Sequence, residues 1–427
     1  MDYDVIVAGA GVGGICAAVA AARLGARTLL AESAAEIGGT GVHSPLALIC
    51  QFWSKDHTPI ATGLHREFFP QAYGEIHNGN VLSYDHRVLQ ATYQRVLAAE
   101  PLLTVLTGAP VAAVTREGRR ITSVTLGGST SRTVTAPVVV DSTADGNLAA
   151  LAGCGFDLGR GEDGKLQPAT LTFLVEGFDI AHFSDDPTAL RRWDQIHRVM
   201  SELNPYYLAA KAAGKLDCPR EDVLCFPYPD GRRILFNQTR MIGVDPTDPA
   251  SVARGEAAGR EQIAVFMTAI RQHPAFANAR VVEVSSRLGV REGRRIHGDH
   301  VLTAEECLAE CRFPDMVSAC AYPVDIHSPS GAGTRIEHIP GSGYYHIPYR
   351  CLIARDADNL LLGSRCISGT HEAHASYRVM SSIAPIGQAA GTAAALAARE
   401  DGAVRKVDAR TIRRELAAAG AFIDGDT

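Results

Sequence analysis

The order of apolar and polar residues predicts a parallel sheet with helical connections near the N-terminus. Short apolar runs rich in β-branched residues cover Asp4–Ala8, Arg27–Leu30 and Val138–Asp141, as in strands that are buried on both faces. Between the first two runs, the small residues of Ile15–Leu24 favour a helix that ends at Gly25. Strands that alternate with helices predict an α/β fold.

A second pattern of strict alternation predicts an antiparallel meander inside this α/β unit. Its three runs are Val111–Arg116, Ile121–Leu126 and Arg132–Ala136, and glycine-containing pairs separate them. The run Val138–Asp141 then returns to the parallel sheet.

The middle of the chain departs from the α/β pattern and predicts a separate α+β unit over residues 154–342. Alternating runs at Thr170–Val175 and Arg233–Asn237 predict strands, and Ala253–Arg271 has a helical pattern. The segment Asp315–Gly343 is rich in Pro, Gly, Ser and His, so we expect a long loop. Long ordered loops in compact enzymes usually border the active site.

Composition narrows the possible partners and compartment. The 427 residues carry a formal net charge of −6 without a basic block, which argues against a nucleic-acid or anionic-membrane partner. An acidic start and an apolar run broken by glycines argue against a signal peptide, and no apolar stretch is long enough to span a membrane. The ten cysteines include no CxxC pair, so we expect reduced thiols in a cytoplasmic protein.

The first strand leads into a glycine turn that predicts dinucleotide binding. Gly9, Gly11 and Gly14 form GxGxxG between a strand and a helix, with Gly13 beside them. Such glycines permit a tight turn, close approach of the backbone to a pyrophosphate, and close helix–strand packing. Glu32 follows the second strand, where an acid accepts hydrogen bonds from an adenosine ribose.

The segment after Glu32 resembles glutathione-reductase-type flavoproteins. Glu36-Ile37-Gly38-Gly39-Thr40 is similar to the Gly-Gly-Thr loop that runs along the flavin in that superfamily. Disulfide reductases of this group carry a CxxxxC pair just after the loop, whereas this chain has Gly41 and Leu46 there. Thiol–disulfide chemistry at that site is therefore excluded.

The C-terminal part resembles more closely the FAD-dependent oxidoreductases that are related to the fumarate reductase and succinate dehydrogenase flavoproteins. The resemblance covers nearly the whole chain. Five segments carry most of it: Ile347–Arg350, Asp358–Ser368, Thr370–Ala373, Arg378–Met380 and Gly387–Ala394. Ser142–Asn147 is similar to the family's second dinucleotide motif, with Ser-Thr-Ala where Ala-Thr-Gly is usual.

The resemblance implies an FAD-binding Rossmann-like two-dinucleotide fold with an antiparallel meander, plus an α+β substrate or cap domain. We expect the FAD-binding domain at residues 1–153 and 343–427 and the cap domain at 154–342. Leu360–Gly363 would be the last strand, and the helix Ile386–Ala398 would direct its N-terminus at the flavin. The residues expected to bind FAD are Gly9, Gly11, Gly13, Gly14, Glu32, Ser33, Gly39, Thr40, Asp145, Gly363, Arg365, Gln388 and Ala389.

Two groups of candidate catalytic residues lie near these motifs. His43 follows the Gly-Gly-Thr loop, and three roles stay open for it: a covalent bond to the flavin, a noncovalent role in the active site, or packing. Arg291 and Arg294 resemble the family's Gly-Val-Arg-Glu-Ser-Arg-Arg stretch and could bind an anionic group of a substrate. Alternatively, the arginines of this stretch pair with Glu292 and Asp299 on the surface.

Two further groups lie in the C-terminal segments, a third of His371, His374, Tyr377 and Arg378 and a fourth of Tyr344, Tyr345 and His346. His371 and His374 would share a helix face, and His371 is the better candidate for acid–base catalysis, although it could equally anchor the flavin or a loop. Tyr345 could line the flavin or the substrate, or serve a structural role. A metal site would need a convergent third ligand, so we expect none.

These features predict an FAD-dependent dehydrogenase or oxidase that moves a hydride between a small or medium organic substrate, possibly an anion, and flavin N5. An FAD-dependent monooxygenase or halogenase is one alternative, although the aromatic-hydroxylase and halogenase motifs are missing. A flavoprotein that modifies tRNA is another, and the acidic balance argues against it. The substrate, the electron acceptor and the oligomeric state stay open.

Overall fold

The computed structural model describes residues 1–70, 80–129 and 131–425. Within these residues the strands, in chain order, are β1 Val5–Ala8, β2 Thr28–Ala31, β3 Leu48–Cys50, β4 Val81–Ser83, β5 Leu103–Leu106, β6 Val111–Glu117, β7 Arg120–Leu126, β8 Arg132–Val134, β9 Val138–Asp141, β10 Phe156–Leu158, β11 Phe173–Glu176, β12 Cys225–Pro227, β13 Ile234–Phe236, β14 Arg280–Val284, β15 Arg294–Ile296, β16 Met316–Cys320, β17 Val324–His327, β18 Thr334–Glu337, β19 Tyr345–Pro348 and β20 Leu360–Leu362.

The α-helices of the same residues, again in chain order, are α1 Val12–Arg23, α2 Gly39–His43, α3 Leu64–Phe68, α4 His86–Ala98, α5 Asn147–Leu151, α6 Trp193–Ala212, α7 Pro249–Ile270, α8 Ala304–Leu308, α9 His371–Tyr377, α10 Met380–Ala398 and α11 Ala409–Ala418.

A five-stranded parallel sheet forms the centre of the molecule, in the order β20-β9-β1-β2-β5. The strands β1, β2, β9 and β20 are buried along their whole length, as their apolar runs predict. The predicted α/β fold is thereby confirmed. The sheet joins both ends of the chain, because β20 pairs with β9 beside the N-terminal β1.

Helices α1 and α10 pack against each other through glycines. Side chains at Gly387 and Gly391 would overlap the backbone of Gly13 and Ala17, so the two helix backbones touch. The start of α10 differs from the prediction, because the helix begins at Met380 rather than at Ile386. The backbone N–H of Ile383 donates to the Val379 carbonyl and closes the first turn ahead of Pro385.

The predicted antiparallel meander is confirmed as the sheet β6-β7-β8. A second antiparallel sheet, in the order β12-β13-β11-β14, packs with α6 and α7 around a separate hydrophobic core. The stacked rings of Phe173 and Phe236, 5.4 Å apart between centroids, belong to this core. The α+β character of the cap unit agrees with the sequence pattern.

The two largest hydrophobic cores bear on how the chain is organised. The second core is built from the range Ala169–Leu288, whereas Ile296, Val317 and Ile339 pack into the core around the parallel sheet. Residues of the predicted cap segment 154–342 therefore contribute to both cores. The domain boundaries themselves stay a prediction.

The predicted long loop at Asp315–Gly343 is wrong. The segment contains β16, which pairs with β19, and the hairpin of β17 and β18. Its Pro, Gly, Ser and His residues suggested a loop because many of them belong to the turns. Between those turns, short runs such as Met316–Cys320 are buried and pair as strands.

We predict that Gly387→Ala lowers the free energy of unfolding by about 3 kcal/mol, because the added methyl group would force α1 and α10 apart. Urea denaturation measures the loss. Gly161→Ala is the matched control, because a methyl group there would meet no heavy atom within 4 Å and the φ of Gly161 is not positive. Equal stabilities of the two variants would contradict the packing described for α1 and α10.

Candidate functional site

The carboxyl edge of the parallel sheet borders a cavity of about 1060 Å³. Gly9, Glu32, Ser142 and Ser364 follow β1, β2, β9 and β20, and all four line the cavity. Ligands of open α/β sheets bind at this edge. The cavity continues from the sheet to the second, antiparallel sheet, where Arg220, among others, lines it. Its volume exceeds what one drug-sized ligand usually fills.

The glycine turn is held in place by Glu32. The backbone N–H of Ala10 donates to Oε2 of Glu32 (2.7 Å), and that of Ala34 donates to Oε1 (2.8 Å). The Ser33 hydroxyl also donates to Oε1 (3.0 Å). A carboxylate has about four lone-pair positions, so Glu32 can still accept a ribose hydroxyl. Gly9 has a φ of +95°, which favours glycine at the turn.

The loop after β9 is shaped by the buried Asp141. Its carboxylate accepts hydrogen bonds from the backbone and hydroxyl of Thr143 (2.9 and 2.7 Å) and from the N–H of Ala149 (2.8 Å). Ala144 has a φ of +69°, a conformation that costs a residue other than glycine about 1–2 kcal/mol. This residue stands where the family motif usually has glycine.

Two arginines meet the same loop at Asp145. Nη2 of Arg365 donates to Oδ1 of Asp145 (2.7 Å), and Nη1 of Arg294 donates to its backbone carbonyl (3.2 Å). A side chain at Gly293 would overlap the Asp145 carboxylate, which explains glycine where the family commonly has serine. Asp145, Arg294 and Arg365 all line the cavity, close to the sheet edge.

The Gly-Gly-Thr segment forms the short helix α2, and Gly39, Thr40, Gly41 and His43 line the cavity. The ring of His43 has partners at both nitrogens. Nε2 lies 3.2 Å from the carbonyl oxygen of Glu36, and Nδ1 lies 3.4 Å from the hydroxyl of Ser286. The structure thus brings His43 to the cavity, while its role stays a prediction.

Some of the predicted cofactor residues do not line the cavity and instead pack against the residues that do. Gly14 packs against the Gly9 backbone, and the carbonyl of Gly363 touches Gly13. Gln388 and Ala389 lie inside α10, and the Gln388 amide oxygen accepts the backbone N–H of Leu64 (2.9 Å). The N-terminal residues of α10 line the cavity instead, namely Met380, Ser381 and Ile383, after the N-cap residue Val379.

The residues at the sheet edge fit FAD. Oγ of Ser142 and Nε of Arg294 and Arg365 are buried without a hydrogen-bond partner among the described residues. The N-terminus of α1 adds free backbone N–H groups, because Gly11 caps the helix without a side chain. These groups can donate hydrogen bonds to the oxygens of a diphosphate, and Glu32 can accept a hydrogen bond from a ribose hydroxyl.

The predicted arginine stretch divides into a cavity side and a buried side. Arg291 and Arg294 line the cavity, whereas Arg295 forms a buried ion pair with Glu292 (2.5 Å). Arg291 and Arg294 therefore do not form the surface ion pairs with Glu292 and Asp299 that the alternative interpretation predicted. Asp299 pairs with Arg405 instead (2.8 Å).

Three predicted catalytic residues lie outside the cavity wall. His371 is buried, and its Nδ1 lies 2.7 Å from Oε1 of Glu292. His374 is fully buried, and burial, reinforced by the charge of Arg295, holds the pKa of its ring well below the ordinary value. Tyr345 donates to Ser376 in the core (2.8 Å). None of the three is among the residues that line the cavity.

Sequence reasoning missed four residues at one end of the cavity, which we call the cap end: Arg220, Tyr322, Asp325 and His327. The predicted residue Arg291 and the candidate Arg378 line the same end. Tyr322 donates to Oδ2 of Asp325 (2.9 Å), and Arg378 lies 3.4 Å from the same oxygen. Burial acts to raise the pKa of Asp325, but the hydrogen bond to His327 and the Arg378 charge outweigh it and lower that pKa.

The ring of His327 is oriented by Arg240. Nη2 of Arg240 donates to Nδ1 of His327 (3.1 Å), so the proton of a neutral ring lies on Nε2, which faces Asp325 at 3.5 Å. Burial and the charge of Arg291 lower the pKa of His327 to about 3. His327 is therefore neutral at physiological pH and acts as a donor.

A cluster of metal-ligand residue types lies away from the cavity, at His182, Glu202 and His273. Glu202 already accepts from both histidines and from Arg198 (2.7 Å). Nδ1 of His273 accepts the backbone N–H of Ala275 (3.2 Å), which leaves the ring proton on the nitrogen that faces Glu202. This geometry favours a hydrogen-bonded network over a metal site.

Several solved structures resemble the chain at low identity. A geranylgeranyl bacteriochlorophyll reductase-like protein from Thermoplasma acidophilum is 13% identical with a TM-score of 0.45, over 98% of this chain and 87% of that one. The p-nitrophenol 4-monooxygenase PnpA from Pseudomonas putida is 11% identical with a TM-score of 0.44, over 96% and 82%. The flavin-dependent halogenase CmlS is 13% identical with a TM-score of 0.49, over 98% and 63%. Likeness at this level carries no argument about function.

Two findings apply to most of the chain. No helix in the described ranges has both the length and the apolar character that a membrane span requires. The model of the FAD dependent oxidoreductase family matches residues 4–416. This range includes every strand of the parallel sheet and every residue that lines the cavity. The chain belongs to the family of FAD-dependent oxidoreductases and binds FAD.

Proposed function

We propose that this enzyme oxidises a small organic molecule as a dehydrogenase or oxidase, with FAD at the sheet edge and the substrate at the cap end. The observation that carries the proposal is the continuity of one cavity, from Glu32 and Gly9 to Arg220 and Asp325. A cofactor and a substrate that bind in the same cavity can lie in contact with each other and react there. FAD, when bound, supplies the acceptor for a hydride.

Asp325 is the group that we propose to receive the proton of the substrate. Its Oδ1 is buried without a hydrogen-bond partner among the described residues, and the residue lines the cavity. Its Oδ2 is fixed by Tyr322 (2.9 Å), which orients the carboxylate. His327 is less suited to this role, because Arg240 occupies the lone pair on its Nδ1.

The surroundings of His43 favour noncovalent binding of FAD. Both of its ring nitrogens have hydrogen-bond partners, at Glu36 and Ser286, and a bond to the flavin would displace one of them.

The proposal predicts that an organic substrate alone bleaches the flavin. Stopped-flow absorption of the FAD-loaded enzyme, mixed without oxygen with panels of organic acids, alcohols and amines, measures this. At least one class should reduce the flavin faster than NADH or NADPH does. If only NADH or NADPH reduces it and oxygen is then incorporated into a product, the enzyme is a monooxygenase.

Asp325→Asn should slow flavin reduction by about 100-fold or more, because general base catalysis typically contributes that much. The wild-type pKa is lowered, so the carboxylate stays ionised as the pH falls, and the rate should stay level down to about pH 4. A histidine base with an ordinary pKa would instead give rates that fall below about pH 6.5. Tyr322→Phe, which removes one hydrogen bond to Asp325, is the companion variant and should show a smaller loss.

Acid precipitation of the FAD-loaded enzyme should release the flavin into the supernatant, because we expect no covalent bond. His43→Ala should then still bind FAD, as measured by the yellow absorption after gel filtration. Flavin that stays with the precipitated wild-type protein but not with the precipitated variant would establish the covalent bond at His43.

A further inference from the structure

Three arginines from distant parts of the chain line the cap end of the cavity. Arg220 precedes β12, Arg291 precedes β15, and Arg378 follows α9. Arg220 and Arg291 are 7% and 9% exposed, so both guanidinium groups are nearly removed from bulk solvent. Buried charges of one sign are costly unless something balances them.

The carboxylates nearby do not balance this charge. Asp325 pairs with Arg378 (3.4 Å), and Glu221 pairs with Arg240 (3.5 Å). Within the described residues, no carboxylate lies within 4.0 Å of the guanidinium of Arg220 or Arg291, and the one hydrogen bond from Arg291 goes to the carbonyl of Pro168. His327 adds no further positive charge, because its ring is neutral.

The unbalanced charge is also visible in the acid–base properties of the group. Burial, followed by the charges of Arg378 and Arg220, lowers the pKa of Arg291 to about 9. Burial and the charge of Arg240 lower the pKa of Arg220 to about 10. Arg220 and Arg291 both remain cations at neutral pH, and a bound anion would relieve their repulsion.

Arg220 also lacks hydrogen-bond acceptors. Its Nε and Nη2 are buried without a partner among the described residues, and Nε of Arg378 is in the same situation. Nε and Nη2 lie on one edge of a guanidinium, the edge that binds a carboxylate through two parallel hydrogen bonds. Buried donors without acceptors usually indicate a missing ligand or water.

The surroundings limit the size and character of such a ligand. Leu224, Phe226 and Ile336 give the cap end an apolar wall, and Asn237 and Thr334 add polar groups. We propose that Arg220, Arg291 and Arg378 bind the carboxylate of the substrate, so that the enzyme acts on a small organic acid. This rests on the proposed function for the hydride step, whereas the binding of the anion does not depend on turnover.

The test measures binding to the oxidised, FAD-loaded enzyme without any reaction. Acetate, succinate and inorganic phosphate are titrated at constant ionic strength, with acetamide as the uncharged counterpart of acetate. The flavin absorption spectrum and the thermal unfolding temperature report binding. We expect acetate and succinate to raise the unfolding temperature, and acetamide to have no effect.

Arg220→Met should weaken binding of succinate by about tenfold or more, because it removes both the charge and the two-nitrogen edge. Arg220→Lys, which keeps the charge alone, should have an intermediate affinity. Without an added anion, Arg220→Met should be at least as stable as the wild type, whereas a structural role for Arg220 predicts a loss of stability. Arg232→Met is the matched control, because Arg232 is exposed and does not line the cavity.

Two results would overturn the inference. One is a wild-type enzyme that binds neither acetate nor succinate, including the case in which it binds phosphate alone. The other is unchanged affinity for succinate in both Arg220 variants. Failure of the hydride-transfer proposal would show separately, as carboxylates that bind but never reduce the flavin.

Discussion

The close contact of helices α1 and α10 is the constraint on which the rest of the structure depends. Gly13 on one helix and Gly387 and Gly391 on the other leave no room for side chains, so the backbones touch. This contact joins the two ends of the chain and holds β20 beside β9, which completes the sheet edge. It also fixes the N-terminal residues of α10 at the cavity. Without this contact, the glycine turn at Gly9–Gly14 and the residues that follow β20 would not line the same cavity.

The cavity combines two regions with different electrostatic character. At the sheet edge, Glu32 and Asp141 organise backbone turns, and the free donors there match a diphosphate. At the cap end, Arg220 and Arg291 are cations without carboxylate partners in the part of the chain that is described, and we propose that they bind a substrate anion. The family is established over nearly the whole chain. The direction of the reaction and the relation to fumarate reductase flavoproteins stay predictions.

The sequence predicted the local features well, because they depend on neighbours along the chain. The strand of Val138–Asp141, the glycine turn and Glu32 follow from short patterns, and the structure has them where they were expected. Arg220 and Asp325 were missed, because they converge only through tertiary packing of segments that are far apart in sequence. The hairpin of β17 and β18 was missed for another reason, since its turn residues dominate the composition of the segment.

A crystal structure of the FAD-loaded enzyme with bound succinate would locate cofactor and substrate anion in the same cavity. We expect the diphosphate against Gly9 and Gly11, and a carboxylate of succinate within hydrogen-bond distance of Arg220 or Arg291. The flavin ring should lie between them, bordered by Gly41 and Met380. A flavin ring that fills the arginine end, or succinate bound outside this cavity, would contradict the proposed division of the cavity.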